Sequence, residues 1–307
     1  MTGLSAPRTH LAERAVAAMG PLRGVDSLTP DTLAPDTLAP AGLSSQAPRR
    51  EGPRNAEAFA EGPVAPPPAI SMEELRAAGL AFEPEAEART RLAEELALIQ
   101  TQVLRAIPAP DAARNATTCR QLVMITSAVP EEGKSFIAVN LAASLAAGTG
   151  QPVLLVDVDG DVTQRLDLAN APGLRALAQD PTKTVSLLLR TTAIAGLSVL
   201  PHGLRTPGQA APSGAALAAA LRAVAVALPR HVVVLDMPAA LSSSDAPAMA
   251  AMVGQVLLVV RAETTPRDAV EAALDVLEAC PVLQLVLNQS RMSSDDSFGN
   301  STASADG

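Results

Sequence analysis

The 307 residues contain no tryptophan, no tyrosine and only 4 phenylalanines. Without tyrosine the chain cannot be its own tyrosine-phosphorylation substrate. A stacking platform for single-stranded nucleic acid needs aromatic faces, which are missing. Lysine is nearly as scarce. Lys134 and Lys183 are the only two, so arginine supplies the rest of the 23 basic residues. Against 32 acids the net charge is −9 and the pI about 4.9, which excludes a broad binder of phosphate backbones. Cys119 and Cys280 are the only cysteines and form no CxxC or Cys/His cluster. They read as reduced thiols, not as a disulfide or a metal site. No apolar run reaches the roughly 18 residues of a membrane span. The longest candidate, 215–229, is broken by Arg222. The first residues lack the apolar core of a secretory signal. The expectation is a cytoplasmic protein that meets a membrane only through a partner.

Aliphatic residues are abundant, since 48% of the chain is hydrophobic. The length suggests about two domain equivalents, or one large domain with a tail. Residues 1–70 hold 11 of the 26 prolines and an immediate Asp-Thr-Leu-Ala-Pro repeat at 31–40. Such a composition cannot bury enough apolar surface to offset chain entropy, so it reads as disordered. Residues 71–115 read as a helical segment: a capping sequence at Ser71–Glu74, then a helix over Glu85–Ile107 with Leu92, Leu96, Ile99 and Val103 at helical spacing. From 116 to 290 short β-branched runs alternate with alanine-rich helical stretches. Strands are predicted at 122–126, 153–156, 197–200, 232–235, 256–260 and 282–287. Helices are predicted at 134–147, 174–190 (in two pieces), 213–228, 246–252 and 266–279. The strands are continuous apolar runs, as in a parallel sheet buried on both faces. The fold class is therefore α/β, a doubly wound, mostly parallel sheet flanked by helices, with a Ser/Asp-rich disordered tail from 291 to 307.

The first strand runs into Ala128-Val-Pro-Glu-Glu-Gly-Lys-Ser135 and then a helix, which is the strand–loop–helix context of a P-loop. In that arrangement loop amides and the helix N-terminus cradle phosphates. Lys134 would reach the outer phosphates and Ser135 would bind Mg²⁺, while Gly133 allows close backbone approach. Glu132 and Phe136 flank these positions and are further candidates to contact nucleotide. Glu131 stands where most such loops have glycine, and its charge and that of Glu132 would repel phosphate if turned inward. The run 153–159 ends in Asp157 and Asp159, and the run 231–236 ends in Asp236 in the Walker B form. Strand carboxyl ends are where open α/β sheets bind ligands and metals. Asp236 would hold Mg²⁺ directly or through water. Asp157 would lie in the outer shell of the ion or orient a nucleophile, and Asp159 is either a weaker ligand or a solvated turn residue. His10, His202 and His231 are scattered and suggest no histidine mechanism. Arg261 and Arg267 read as solvated surface.

The runs 126–146 (TSAVPEEGKSFIAVNLAASLA), 153–161 (VLLVDVDGD), 232–241 (VVVLDMPAAL) and 256–289 resemble the bacterial tyrosine kinases, the autokinases of capsular and exopolysaccharide synthesis. The resemblance implies a P-loop ATPase fold like that of MinD and ParA, binding of Mg·ATP or Mg·ADP, and action with a polysaccharide co-polymerase of the inner membrane. It also implies a homo-oligomer, and an adenine contact for Asn288, whose alternative is local backbone bonding. Val129 stands where related positioning ATPases carry an extra lysine, which favours the kinase branch. The pattern departs from the family in three places. Asp161 replaces an arginine in DxDxR, Ala97 and Gln100 replace two arginines of a ring-forming helix motif, and the C-terminal tyrosine cluster is absent. The expected function is that of a tyrosine-kinase-like ATP-binding protein with Lys134, Asp157 and Asp236 carrying the chemistry. The alternatives are a catalytically weak nucleotide-binding regulator and a positioning ATPase.

Overall fold

The structure, a computed structural model, describes residues 69–84, 90–107, 118–205, 208 and 210–290. The expected tails, up to residue 68 and from 291 on, lie outside these residues, as does the beginning (85–89) of the helix expected over Glu85–Ile107.

Seven strands form one sheet: β1 (Cys119–Ser127), β2 (Val153–Asp157), β3 (Arg190–Thr191), β4 (Leu197–Leu200), β5 (Val232–Asp236), β6 (Val253–Arg261) and β7 (Leu283–Asn288). Their order is β3-β4-β2-β5-β1-β6-β7, and every pairing is parallel except β3 with β4. The mostly parallel, helix-flanked α/β sheet expected from the apolar runs is the observed fold. From β1 the chain winds first to the β2 and β5 side and later to the β6 and β7 side. The carboxyl end of β1 thus lies near the reversal of winding, where such sheets bind ligands.

Period-2 alternation splits each buried strand between two cores. Val123, Ile125, Leu155 and Val234 pack under α1 (Met72–Ala77), α2 (Arg91–Ala106) and α3 (Lys134–Thr149). Leu122, Met124, Leu154 and Leu235 pack under α5 (Leu174–Gln179), α7 (Gly214–Ala227), α8 (Ala246–Met252) and α9 (Arg267–Leu277). The absence of tryptophan and tyrosine is met by Leu, Val, Ile, Met and Ala in both clusters. Helix α3 is buried along most of its length, between the sheet and α2, which accounts for its apolar residues on all sides.

The capping box expected at Ser71 is present, with Glu74 Oε2 accepting from the Ser71 N–H at 2.6 Å. Ile70 is buried and bridges Thr192. Leu96 and Val103 of α2 are buried as their spacing predicts.

Four elements depart from expectation. The second helical piece expected to reach Arg190 is the four-residue α6 (Val185–Leu188), and Arg190 instead opens the antiparallel edge strand β3. A five-residue helix, α4 (Asp161–Arg165), follows β2, and a 3₁₀ turn spans Ala240–Ser242. Both are too short to leave a periodic signal.

Candidate functional site

The loop between β1 and α3 is shaped by two left-handed residues. Gly133 has φ +93°, and a Cβ there would come within 2.1 Å of Asn288 Nδ2. Glu131 has φ +66°, a conformation glycine adopts freely and glutamate does not, which fits a position that usually holds glycine. The two glutamates part ways. Glu131 is exposed, whereas Glu132 is buried. The Glu132 carboxylate accepts from the Val129 N–H at 2.8 Å, from the Thr265 hydroxyl and from the Arg261 N–H at 3.3 Å. It braces the loop against the turn that follows β6. The feared repulsion from Glu132 is therefore tempered by three donors, and a direct nucleotide contact by this side chain would require breaking that brace.

Lys134 opens α3 and is nearly buried, with its Nζ 2.6 Å from Asp159 Oδ2. Burial by itself pulls the Lys134 pKa down, but the Asp159 bond and the charges of Asp236 and Asp161 outweigh it and hold the ammonium above its ordinary value. Asp159 is thus a partner of the lysine, a role its spacing did not reveal.

Asp157 and Asp236 are register partners on β2 and β5, so their Cα atoms stand about 4.8 Å apart. Their environments differ. Asp157 accepts from the Gly160 N–H at 2.7 Å and from the Thr163 N–H at 2.5 Å. Desolvation still holds its pKa above the usual carboxylate range, with these bonds opposing it. Each oxygen of Asp157 accepts one bond that shapes the turn into α4, and each keeps a further lone pair. Asp236 is fully buried and neither carboxylate oxygen has a hydrogen-bond partner. Desolvation, then the charge of Asp157, push it up to about 8. The neighbouring Ser135 hydroxyl is also buried and lacks a partner within hydrogen-bond geometry. Three orphaned oxygens, beside one another at the mouth of a P-loop, suit a divalent cation. Among the described residues no three His, Cys, Asp or Glu side chains gather as a metal cage. The donor set therefore fits Mg²⁺ completed by water and phosphate oxygens rather than an all-protein metal site.

Phe136 and Asn288 come together across the loop. They line a cavity of about 630 Å³ between α2, the start of α3 and β7, within the size range of small-molecule sites. Asn288 Oδ1 accepts from the Gln289 N–H at 2.9 Å, a local backbone bond, and its amide donates across the site to the Glu132 carbonyl at 2.8 Å. Arg267 pairs with Glu271 and is exposed, as expected of surface.

Sequence reasoning missed three groups. Asn140 of α3 accepts from the Ala81 and Phe82 N–H groups at 2.7 and 2.8 Å and donates to the Gly79 carbonyl at 2.9 Å, tying the segment after α1 to the P-loop helix. His202 and Arg175 line a further cavity beside Asp159. Their only signal in sequence would have been their position just after β4 and in α5, since the folding of those elements brings them to the sheet's carboxyl edge. Gln100, in a position where the family has an arginine, faces inward and accepts from the Ser144 hydroxyl at 3.0 Å.

The chain matches no protein-family model. EpsB of Ralstonia nicotianae, provisionally named a tyrosine-protein kinase, is 30% identical over 164 residues, covering 51% of this chain and 21% of that protein. The tyrosine-protein kinase ptk of Acinetobacter johnsonii is 36% identical over 85 residues, 27% of this chain and 11% of that one. The chain thus spans about a fifth or less of the length of these curated relatives. Among solved structures, the BceF tyrosine kinase domain superposes with a TM-score of 0.50 at 28% identity, over 64% of this chain and 76% of that one. The kinase domain of the Escherichia coli tyrosine kinase ETK gives 0.51 at 23% identity, over 66% and 78%. The sheet order, the loop after β1 and the acids ending β2 and β5 define a P-loop ATPase-like domain. Within that class, the chain is similar to the bacterial tyrosine kinases. No helix among the described residues is long and apolar enough to cross a membrane.

Proposed function

We propose that the protein binds Mg·ATP or Mg·ADP and acts as a tyrosine-kinase-like ATPase of exopolysaccharide or capsular polysaccharide synthesis or export, together with a membrane co-polymerase. The observation that carries the nucleotide reading is the convergence of Lys134 with the orphaned oxygens of Ser135 and Asp236. The pathway and the partner rest on the resemblance to the polysaccharide autokinases. In this reading the backbone of 128–135 and Lys134 hold the phosphates. Ser135 and Asp236 hold the cation, Asp157 orients the turn behind it, and the base enters the cavity of Phe136 and Asn288. The cation, when bound, neutralises charge on the β- and γ-phosphate oxygens. For Lys134 to reach them it must leave Asp159.

Transfer to a hydroxyl forms a bond from the acceptor oxygen to the γ-phosphorus, breaks the β–γ bridging P–O bond and the acceptor O–H bond, and releases ADP, with the proton passing to solvent. These 307 residues contain no tyrosine, so a tyrosine acceptor must lie outside them. The test is phosphoryl transfer from labelled ATP to a Glu/Tyr copolymer. Transfer that disappears in both Lys134→Ala and Asp236→Asn supports the kinase reading. Nucleotide binding with no transfer and no turnover contradicts it.

The acid cluster around Lys134 favours a second reading, a regulator that binds nucleotide and turns it over weakly. A several-fold rise in ATP turnover on adding the co-polymerase's cytoplasmic segment would rule that reading out.

A further inference from the structure

The two edges of the sheet are finished differently. At one edge, β3 is two residues long and Ile70 closes on it. The Ile70 N–H donates to the Thr191 carbonyl at 2.8 Å, and the Ile70 carbonyl accepts from the Ala193 N–H at 2.7 Å. At the other edge, β7 is six residues long and pairs only with β6 among the described residues. Exposed edge strands are normally guarded by charge, proline or a covering segment. No residue from Val282 to Ser290 is charged.

The backbone fixes which groups of β7 are free. The Val282 and Asn288 carbonyls accept from the Val256 and Ala262 N–H groups, at the two ends of the pairing with β6. Alternate residues of a parallel pair bond to the same neighbour, so the even-numbered residues of β7 face β6. Leu283, Leu285 and Leu287 therefore turn their N–H and C=O groups outward. The same three leucines share one face of the sheet. Leu283 packs against the core under α9, whereas Leu285 and Leu287 are 56% and 68% exposed. On the opposite face Val286 packs against the core under α2. β7 is thus apolar on both faces, the pattern of a strand inside a sheet.

We infer that the outer edge of β7 pairs antiparallel with β7 of a second copy of this chain, about a two-fold axis at Leu285. An axis normal to the sheet keeps each face on its own side. Leu285 of one copy then lies opposite Leu285 of the other, and Leu283 lies opposite Leu287. Each such pair exchanges two backbone hydrogen bonds, about six in all. An axis at Gln284 would set Leu287 against Pro281, which has no N–H. An axis at Val286 would set Leu283 against Gln289, whose φ of +57° leaves the strand conformation. Leu285 is the centre that uses every free group. A charged edge would repel its own copy and call for a partner of opposite sign, whereas an uncharged edge of matched leucines suits itself. Because Ile70 closes the β3 edge, pairing stops at two copies. The contact uses neither the phosphate site nor the helix positions of Ala97 and Gln100, and it does not depend on nucleotide.

Sedimentation equilibrium of the full chain without nucleotide, over a range of concentrations, tests it. A monomer–dimer equilibrium is expected. Leu285→Lys sets two ammonium groups against each other and removes two leucines from the contact, at an exposed position that does not endanger the fold. It should raise the dimer Kd by about a hundred-fold or more. Leu285→Glu alone should do the same. An equimolar mixture of the two variants should restore the dimer, because lysine then lies opposite glutamate. A full chain that stays monomeric overturns the inference, whether a segment of its own or another protein covers the edge. So does a dimer that Leu285→Lys leaves intact. Failure of the mixture to restore the dimer overturns the axis at Leu285. Lys134→Ala should dimerise as the unsubstituted chain does, so loss of the nucleotide reading leaves this one standing.

Discussion

Burial acts on Asp236 and Lys134 in opposite senses, and each has a measurable consequence. Asp236 is pushed up to about 8 by desolvation and by Asp157, so the nucleotide-free protein keeps its proton where the unfolded chain has lost it. The stability this provides is complete below the ordinary carboxylate pKa of about 4 and disappears as pH rises through about 8. Without nucleotide the melting temperature should therefore fall between pH 6 and 9. In Asp236→Asn that slope should flatten, and an unchanged slope would contradict the assignment. Lys134 is held charged by Asp159, Asp236 and Asp161, all of which compete with phosphate for it. Asp161 is exposed and stands where the family has an arginine. Asp161→Asn should tighten Mg·ATP binding by up to about five-fold, the effect of one exposed charge, and binding that weakens would argue against competition for the lysine.

Among the elements, α3 organises the site, because it carries Lys134 and Ser135 at its start and Asn140 a turn and a half later. Asn140→Ala would strand the Ala81 and Phe82 N–H groups and the Gly79 carbonyl. It should cost about 2–3 kcal/mol in urea denaturation. A loss below the scatter of such measurements would show that the segment after α1 is not anchored there. The strands β2, β4 and β5 were legible in sequence because their apolar runs are buried on both faces of a parallel sheet. The P-loop was legible because its residues are contiguous. The brace on Glu132 was not, since Arg261 and Thr265 lie 129 and 133 residues away and only the sheet order brings them together. Nor was β3, whose two residues carry no alternation. The Lys134–Asp159 pair was not legible, because the strand ends at Asp157 and the chain turns there, so strand periodicity does not say where Asp159 points.

At the scale of the whole molecule, a mostly parallel sheet brings a lysine, a serine and three aspartates to one edge and leaves Asp236 and Ser135 without partners. Such an excess of buried negative charge is stable only when protonated or when a cation shares it. The central claim is therefore that Mg·nucleotide completes this site. Calorimetric titration of Mg·ATP into the full chain, Lys134→Ala and Asp236→Asn tests it most directly. The account predicts saturable one-to-one binding by the unsubstituted protein, and affinity at least about ten-fold weaker in each variant. Equal affinities in all three proteins would contradict it.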